Sequence, residues 1–314
     1  MPAPTPLPVQ LTNRPFSRDE LVALGLSPKL LLGKRFRRLH PETWVHTDHA
    51  MTDSDQIAAA ALAVPSYAQP TDGTRLRMLG YDDLPLEPIC FVVPDDHHVA
   101  LDGIMVHRTK EMPPLDASGV TPAAAFLGCC AEEPLIDLVA AGDWLLRHGH
   151  ATHEELAELA IRDSWRPGAD RALEVLPMLN PRSRSPRESK VRAMLVMAGL
   201  PTPEVNVDLF VEGTFLGCAD LLYHRWLLVL EYEGRQHAED VHQFNVDIGR
   251  YEGFRDHGVT YVQITSARFA RPRAFVILVH RKLVSLGYDG PAPSFGPRWR
   301  ALFAPVPGPH ARRR

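Results

Sequence analysis

Residues 215–237 read FLGCADLLYHRWLLVLEYEGRQH. The stretch sets three carboxylates, Asp220, Glu231 and Glu233, where folding alone would not place them. Residues 215–223 and 226–233 are rich in Leu, Val and aromatic side chains, which predicts two strands. A two-residue turn at His224 and Arg225 would join them, with Tyr223 facing Trp226 and Asp220 facing Val229. That dipeptide lacks the Asn-Gly or Asp-Gly chemistry such turns favour, so the register is a working assumption. Side chains alternate along a strand, so Asp220, Val229, Glu231 and Glu233 share one face. Glu231 is then the diagonal neighbour of Asp220 at roughly 7–8 Å.

Trp226 to Leu230 is apolar at nearly every position, the pattern of a strand covered on both faces. Glu231 and Glu233 therefore emerge where a buried strand ends. Two carboxylates about 6 Å apart repel by roughly 3 kcal/mol at an effective dielectric of about 20. A divalent cation removes that cost, and Mg2+, or Mn2+ in its place, suits oxygen ligands of this kind. The alternative is that Arg225, Arg235 or Arg250 pairs with these acids in ordinary strand-end salt bridges.

The wider pattern resembles a known family. Glu188 in a helix, Asp220 on one strand, Glu231-Tyr232-Glu233-Gly234 on the next, then His237, and Asp247 with Arg250 in a following helix, is similar to the PD-(D/E)XK superfamily. The nearest likeness is to domains akin to the very-short-patch-repair endonucleases, whose strand reads acid-x-acid-Gly-x-x-His where other members carry acid-x-Lys. This chain has LEYEGRQH there, and the resemblance covers residues 185–288. It implies Asp220 and Glu231 as metal ligands, Glu188 in support of the catalytic site, and Glu233 or His237 in place of the missing lysine. Gln236, Asp247 and Arg250 take supporting places. The implied activity is metal-dependent hydrolysis of DNA phosphodiester bonds, in repair or in defence against foreign DNA. The absent lysine keeps open a degenerate, purely DNA-binding domain in a transcriptional regulator or antitoxin, or an adaptor in a repair or defence complex.

The chain of 314 residues is long enough for two or three domains, and its 45% hydrophobic and 23% charged residues are ordinary for a globular protein. A net charge of −4 means that nucleic-acid binding has to rest on local basic patches. Cys90, Cys129, Cys130 and Cys218 show no paired CxxC spacing, which predicts neither a disulfide framework nor a zinc site and fits a reducing compartment. With no signal pattern and no membrane-length apolar run, the expected location is cytoplasmic.

Residues 1–15 read as a flexible arm. Residues 16–50 follow as a compact DNA-binding candidate: a Ser17-x-x-Glu20 capping box, a helix ended by Gly25, a second helix from Ser27-Pro28, and two strands in KRFRRLHPETWVH joined by a turn at His40 to Glu42. Two short helices and a hairpin outline a winged helix-turn-helix, with Lys34, Arg35, Arg37 and Arg38 beside the wing as phosphate contacts or as a solvated face. Gly25-Leu26-Ser27, the basic segment and the aromatic strand resemble the amino-terminal domain of AbiEi-type antitoxins. Thr43 stands where that family carries a glycine before the wing aromatic.

Residues 51–176 form a mixed α+β middle region, with a helix over 54–64, strands over 89–93 and 104–107, and helices over 121–127 and 134–147. It reads as a packing or dimer-forming module. The loop with Asp95, Asp96, His97 and His98 is a plain turn or, less simply, a metal site. Residues 177–186, PMLNPRSRSP, read as a linker. Its Arg182 and Arg184, with Arg187, Lys190 and Arg192 following, give a basic strip suited to steering a phosphate backbone, or a solvated linker with no partner. The nuclease-like domain, 187–288, is predicted as a mixed α/β sheet with helices over 187–198, 239–257 and 272–286 and a strand over 259–264. Glu188 lies on the inward face of the first helix, either serving the site or salt-bridged to Arg250. Residues 289–314 read as a disordered basic tail.

Overall fold

The computed structural model describes residues 6–94, 100–232, 250 and 252–306. The expectations for Glu233, Gln236, His237 and Asp247, for the loop from Asp95 to His98, and for the arginines at the carboxy terminus lie outside the described residues. The chain is mixed α/β with several small sheets, and it divides into two compact units, 1–125 and 126–314. No helix of the described residues is long and apolar enough to cross a membrane.

The first unit opens with a three-stranded antiparallel sheet. Strands β1 (Phe16–Ser17), β2 (Phe36–His40) and β3 (Thr43–His46) lie in the order β1-β3-β2, with helix α1 (Arg18–Ala23) between β1 and β2. Ser17 caps α1, its hydroxyl accepting the Glu20 N–H at 3.1 Å. Leu11, Phe16, Leu21 and Phe36 form the core beneath. The segment expected as a second helix, Pro28–Leu32, is a 3-10 turn with no buried residue. Its three leucines are consecutive and lack the spacing that would give an α-helix one apolar face.

Helix α2 (Asp53–Ala63) follows, then β4 (Gln69–Pro70), α3 (Asp72–Met78), β5 (Ile89–Val93) and β6 (Ile104–Arg108), then the β7–β8 ladder (Leu115–Asp116, Gly119–Val120) and α4 (Pro122–Cys129). β5 pairs antiparallel with β4 and parallel with β6. Ile57 and Ala60 of α2 pack on Ile89 and Phe91 of β5. All five residues of β5 are buried, which explains its unbroken apolar sequence.

The second unit is built on helices α5 (Leu135–Arg147), α6 (His153–Arg162), α7 (Ala169–Val175) and α8 (Pro186–Met197), followed by the strands β9 (Glu204–Val211), β10 (Thr214–Tyr223), β11 (Leu228–Tyr232) and β12 (Thr260–Ile264). The sheet order is β12-β11-β10-β9. β9, β10 and β11 form an antiparallel meander, and β12 joins parallel to β11. Residues 252–256 are helical and stand between β11 and β12 in sequence. Short α9 (Ser266–Phe269), α10 (Pro272–Ser285) and α11 (Pro297–Phe303) complete the unit.

Two stretches differ from their sequence reading. Residues 177–186 are packed in rather than spanning free: Leu179 and Ser183 are buried, and the Asn180 N–H donates to Asp143 of α5 at 2.6 Å. The described part of the tail carries α11, which buries Trp299 and Leu302 against α5 and α8. Those two residues sit three apart with Pro297 at the first turn, so a short amphipathic helix was written into a Pro-rich stretch.

Candidate functional site

The β10–β11 hairpin closes through a 3-10 turn, His224–Trp226, with Leu227 in the left-handed region at φ 44°. This longer turn moves the register by two residues from the expected one, so that Leu222 faces Val229 and Leu221 faces Leu230. A shift of two preserves faces, because side chains alternate with period two. One step further, the register sets Asp220 opposite Glu231 rather than on its diagonal. On the other side of β10, Ala219 faces Val207 and Leu221 faces Val205, which puts Asn206 opposite Asp220. Glu231 in turn aligns with Gln263 of β12. The register positions Asn206, Asp220, Glu231 and Gln263 thus form one polar row across the sheet.

Glu188 reaches this row from α8. Ser185 caps the helix, and its hydroxyl donates to Glu188 Oε1 at 2.9 Å while accepting the Glu188 N–H at 3.2 Å. Glu188 Oε2 accepts the Arg184 N–H at 2.9 Å and the Asn206 amide at 2.6 Å. The carboxylate is buried, and among the described residues hydrogen bonds from the Arg184 N–H, Ser185 and Asn206 satisfy it. Asn206 holds φ at 47°, and its buried Oδ1 meets no hydrogen-bond donor among the described residues.

Asp220 Oδ2 accepts the backbone N–H of Tyr232 at 3.0 Å. Burial and then the negative charge of Glu188 push its carboxyl up to about 6, against the Tyr232 hydrogen bond and the guanidiniums of Arg250 and Arg184. The acids are therefore not fully neutralised by their arginines. Arg250 pairs with Glu231 through Nη2, and the same nitrogen donates to the Cys218 carbonyl at 2.5 Å. Of the two pairings the sequence left open for Arg250, with Glu188 or with a strand-end acid, the structure makes the one with Glu231. Glu231 itself is 8% exposed. The carboxylate oxygens of Glu188, Asp220 and Glu231 do not all lie within 4.8 Å of one another.

The residues fit an oxygen-seeking divalent cation in their chemistry: carboxylates on neighbouring strands, a second negative charge from Glu188 acting on Asp220, and the Asn206 side-chain carbonyl beside Glu188. Arg250 holds one of those carboxylates, so full convergence requires its side chain to move.

The expected nucleic-acid contacts are placed unevenly. Arg187 is exposed, with its guanidinium 4.6 Å from the Phe269 ring centroid and 5.8 Å from that of Tyr232. Lys190 instead turns inward to Asp137 at 2.6 Å, and Arg192 is buried against Asp143. In the first unit Lys34, Arg37 and Arg38 are exposed and Arg35 half-buried, along and just before β2. Arg38 lies over Trp44 of the adjacent strand at 5.9 Å.

Sequence reasoning missed Asn206 and Gln263. Asn206 and Gln263 were legible only as polar residues interrupting apolar strands, EVNVDLFV and TYVQI.

Two uncharacterized proteins of Mycobacterium tuberculosis, from strains CDC 1551 and H37Rv, are each 24% identical to this chain over 212 residues, which is 67% of this chain and 78% of theirs. No family model and no solved structure matches the chain.

Proposed function

We propose that the second unit is a divalent-metal-dependent endonuclease domain that hydrolyses phosphodiester bonds in DNA. The observation that carries this reading is Asp220, a half-buried carboxyl raised to about 6 by burial and by Glu188, set opposite Glu231 at the end of a buried strand. The order α8, three antiparallel strands, a helical segment and a parallel fourth strand supports it, since it places Glu188, Asp220 and Glu231 on the elements the PD-(D/E)XK resemblance assigns them.

Asp220 and Glu231 would hold Mg2+ or Mn2+, which when bound polarises the phosphodiester and lowers the pKa of water. Glu188, fixed by Ser185 and Asn206, keeps the negative potential that draws in the cation. Arg184 and Arg187, exposed at the start of α8, offer guanidiniums to the DNA backbone. Basic groups on β2 of the first unit add sequence-independent affinity.

A second reading is a regulator or antitoxin whose nuclease-like domain only binds DNA. The Arg250–Glu231 pair favours it, because an internal cation there takes the place of the metal.

One gel series separates the two. Purified protein and Asp220→Ala are incubated with supercoiled, linear and mismatched duplex, with Mg2+, Mn2+ or chelator. Metal-dependent nicking lost in the variant is the expected result. Bound but uncut DNA with both proteins would move the conclusion to the regulator.

A further inference from the structure

A second cluster of metal-ligating side chains stands in the first unit, assembled from residues far apart in sequence. Asp72 opens α3, Cys90 lies on β5 and His107 on β6. One ligand atom from each, a carboxylate oxygen, the thiol sulfur and an imidazole nitrogen, lies within 4.8 Å of the other two. We propose that Asp72, Cys90 and His107 form a binding site for a borderline-soft divalent transition metal, of which Zn2+ is the best match.

The donor set argues for the metal. Thiolate, imidazole and carboxylate together are the ligands of zinc, whereas Mg2+ and Ca2+ take oxygen alone. Ligand atoms around a tetrahedral zinc stand roughly 3.3–3.7 Å apart, as bond lengths of about 2.0–2.3 Å require. His107 Nε2 lies 3.0 Å from Asp72 Oδ2, just short of that range, and all three ligand atoms lie within 4.8 Å of one another. Small side-chain adjustments would bring all three onto one ion.

The cluster is also oriented from behind. Thr71 donates its hydroxyl to Asp72 Oδ1 at 3.0 Å, leaving Oδ2 turned to His107. Asp72 holds the left-handed conformation at φ 49°, uncommon for a non-glycine residue. The N–H of Cys90 donates to the Thr74 hydroxyl at 2.7 Å, which fixes the strand beside α3. Outer hydrogen bonds of this kind orient metal ligands and are part of a site's affinity. Cys90 is buried, while the side chains of Asp72 and His107 keep 13% and 23% exposure, so the cluster reaches solvent through those two, and three protein ligands would leave a fourth position to water. Three protein ligands with one open position is the coordination of reactive rather than closed zinc sites.

The Cys90 thiol donates to the Pro88 carbonyl at 3.3 Å. Metal binding replaces that proton: the S–H bond breaks, the sulfur bonds the metal, and one proton passes to the buffer. Affinity therefore rises with pH. The site belongs to the first unit and uses none of the carboxylates of the second, so it stands or falls independently of the nuclease reading.

The test uses the full chain, stripped with chelator and titrated with Co2+ and Zn2+. Wild type should take up about one Co2+ per chain, with a thiolate-to-cobalt charge-transfer band and intense four-coordinate visible absorption, and Zn2+ should displace it. Cys90→Ser should abolish the charge-transfer band, and His107→Ala should weaken Zn2+ binding by tenfold or more. Cys218→Ser, which removes a thiol from the other unit, should keep the full spectrum. Far-ultraviolet circular dichroism of each variant separates ligand loss from unfolding; if Cys90→Ser unfolds, Asp72→Asn and the proton count on Zn2+ binding by wild type carry the test. A wild-type protein that binds neither ion stoichiometrically, or a folded Cys90→Ser with an unchanged cobalt spectrum, overturns the proposal.

Discussion

Arg250 lays its Nη2 on the carboxylate of Glu231, and the same nitrogen reaches the Cys218 carbonyl on the neighbouring strand. The guanidinium thus stands where the sequence alone would put a metal ion. Arg250→Met removes the guanidinium from buried Glu231. The metal-free protein should lose about 1–3 kcal/mol, the low end of a broken buried pair because Arg250 is partly exposed. Mg2+ at millimolar concentration should recover much of the lost melting temperature by replacing the charge. A melting temperature that Mg2+ leaves unmoved would count against Glu231 as a metal ligand.

Gly217 makes the Arg250 position available. Its φ is 119°, and a Cβ there would lie 2.7 Å from Arg250 Nε. Gly217→Ala should therefore displace the guanidinium as well as strain the backbone, by about 1–3 kcal/mol for the strain. Its Mg2+ response in thermal melts should copy that of Arg250→Met. Wild-type stability in Gly217→Ala would show that the strand and the arginine yield without cost.

Asp220 makes stability depend on pH with a definite sign. The unfolded group ionises from about pH 4, whereas the folded one holds its proton to about 6. Between these values the unfolded state has lost a proton that the folded state retains, so stability falls as pH rises, and the deficit persists above pH 6. Asp220→Asn keeps an acceptor for the Tyr232 N–H and removes the charge. Without metal at pH 7.5 its melting temperature should exceed wild type by ~2 °C or more, with the gap closing near pH 4. A gap independent of pH would show that the carboxyl titrates normally.

Asp143 and Arg192 form a buried pair at 2.6 Å between α5 and α8, with Asp143 only 1% exposed. Burial raises the Asp143 carboxyl, and Arg192 and the Asn180 N–H oppose that shift. Arg192→Met should destabilise by about 3–5 kcal/mol, because it strands a buried carboxylate. Adding Asp143→Asn should recover part of the loss in urea unfolding. Additive losses in the double variant would mean that the two side chains do not act as a pair.

The sequence by itself determined the local elements. Unbroken apolar runs gave β5 and β11, the Ser17 capping box gave the start of α1, and the face shared by Asp220 and Glu231 was legible from alternation. These depend on neighbours within a few residues, where side-chain period and capping chemistry act directly.

Tertiary structure decided what sat beside each carboxylate. Which residue faces Asp220 depended on a turn two residues longer than supposed, and a turn without Gly or Asn gives no local sign of its length. That Arg250 would choose Glu231, that Asn206 would meet Glu188 across 18 positions, and that Asp72, Cys90 and His107 would gather from three elements, all depend on chain reversals. The burial of α11 under a Pro-rich sequence has the same origin. Trp299 and Leu302 look like parts of a tail until α5 and α8 supply a surface for them, and the hydrophobic effect rewards contact whatever the separation along the chain.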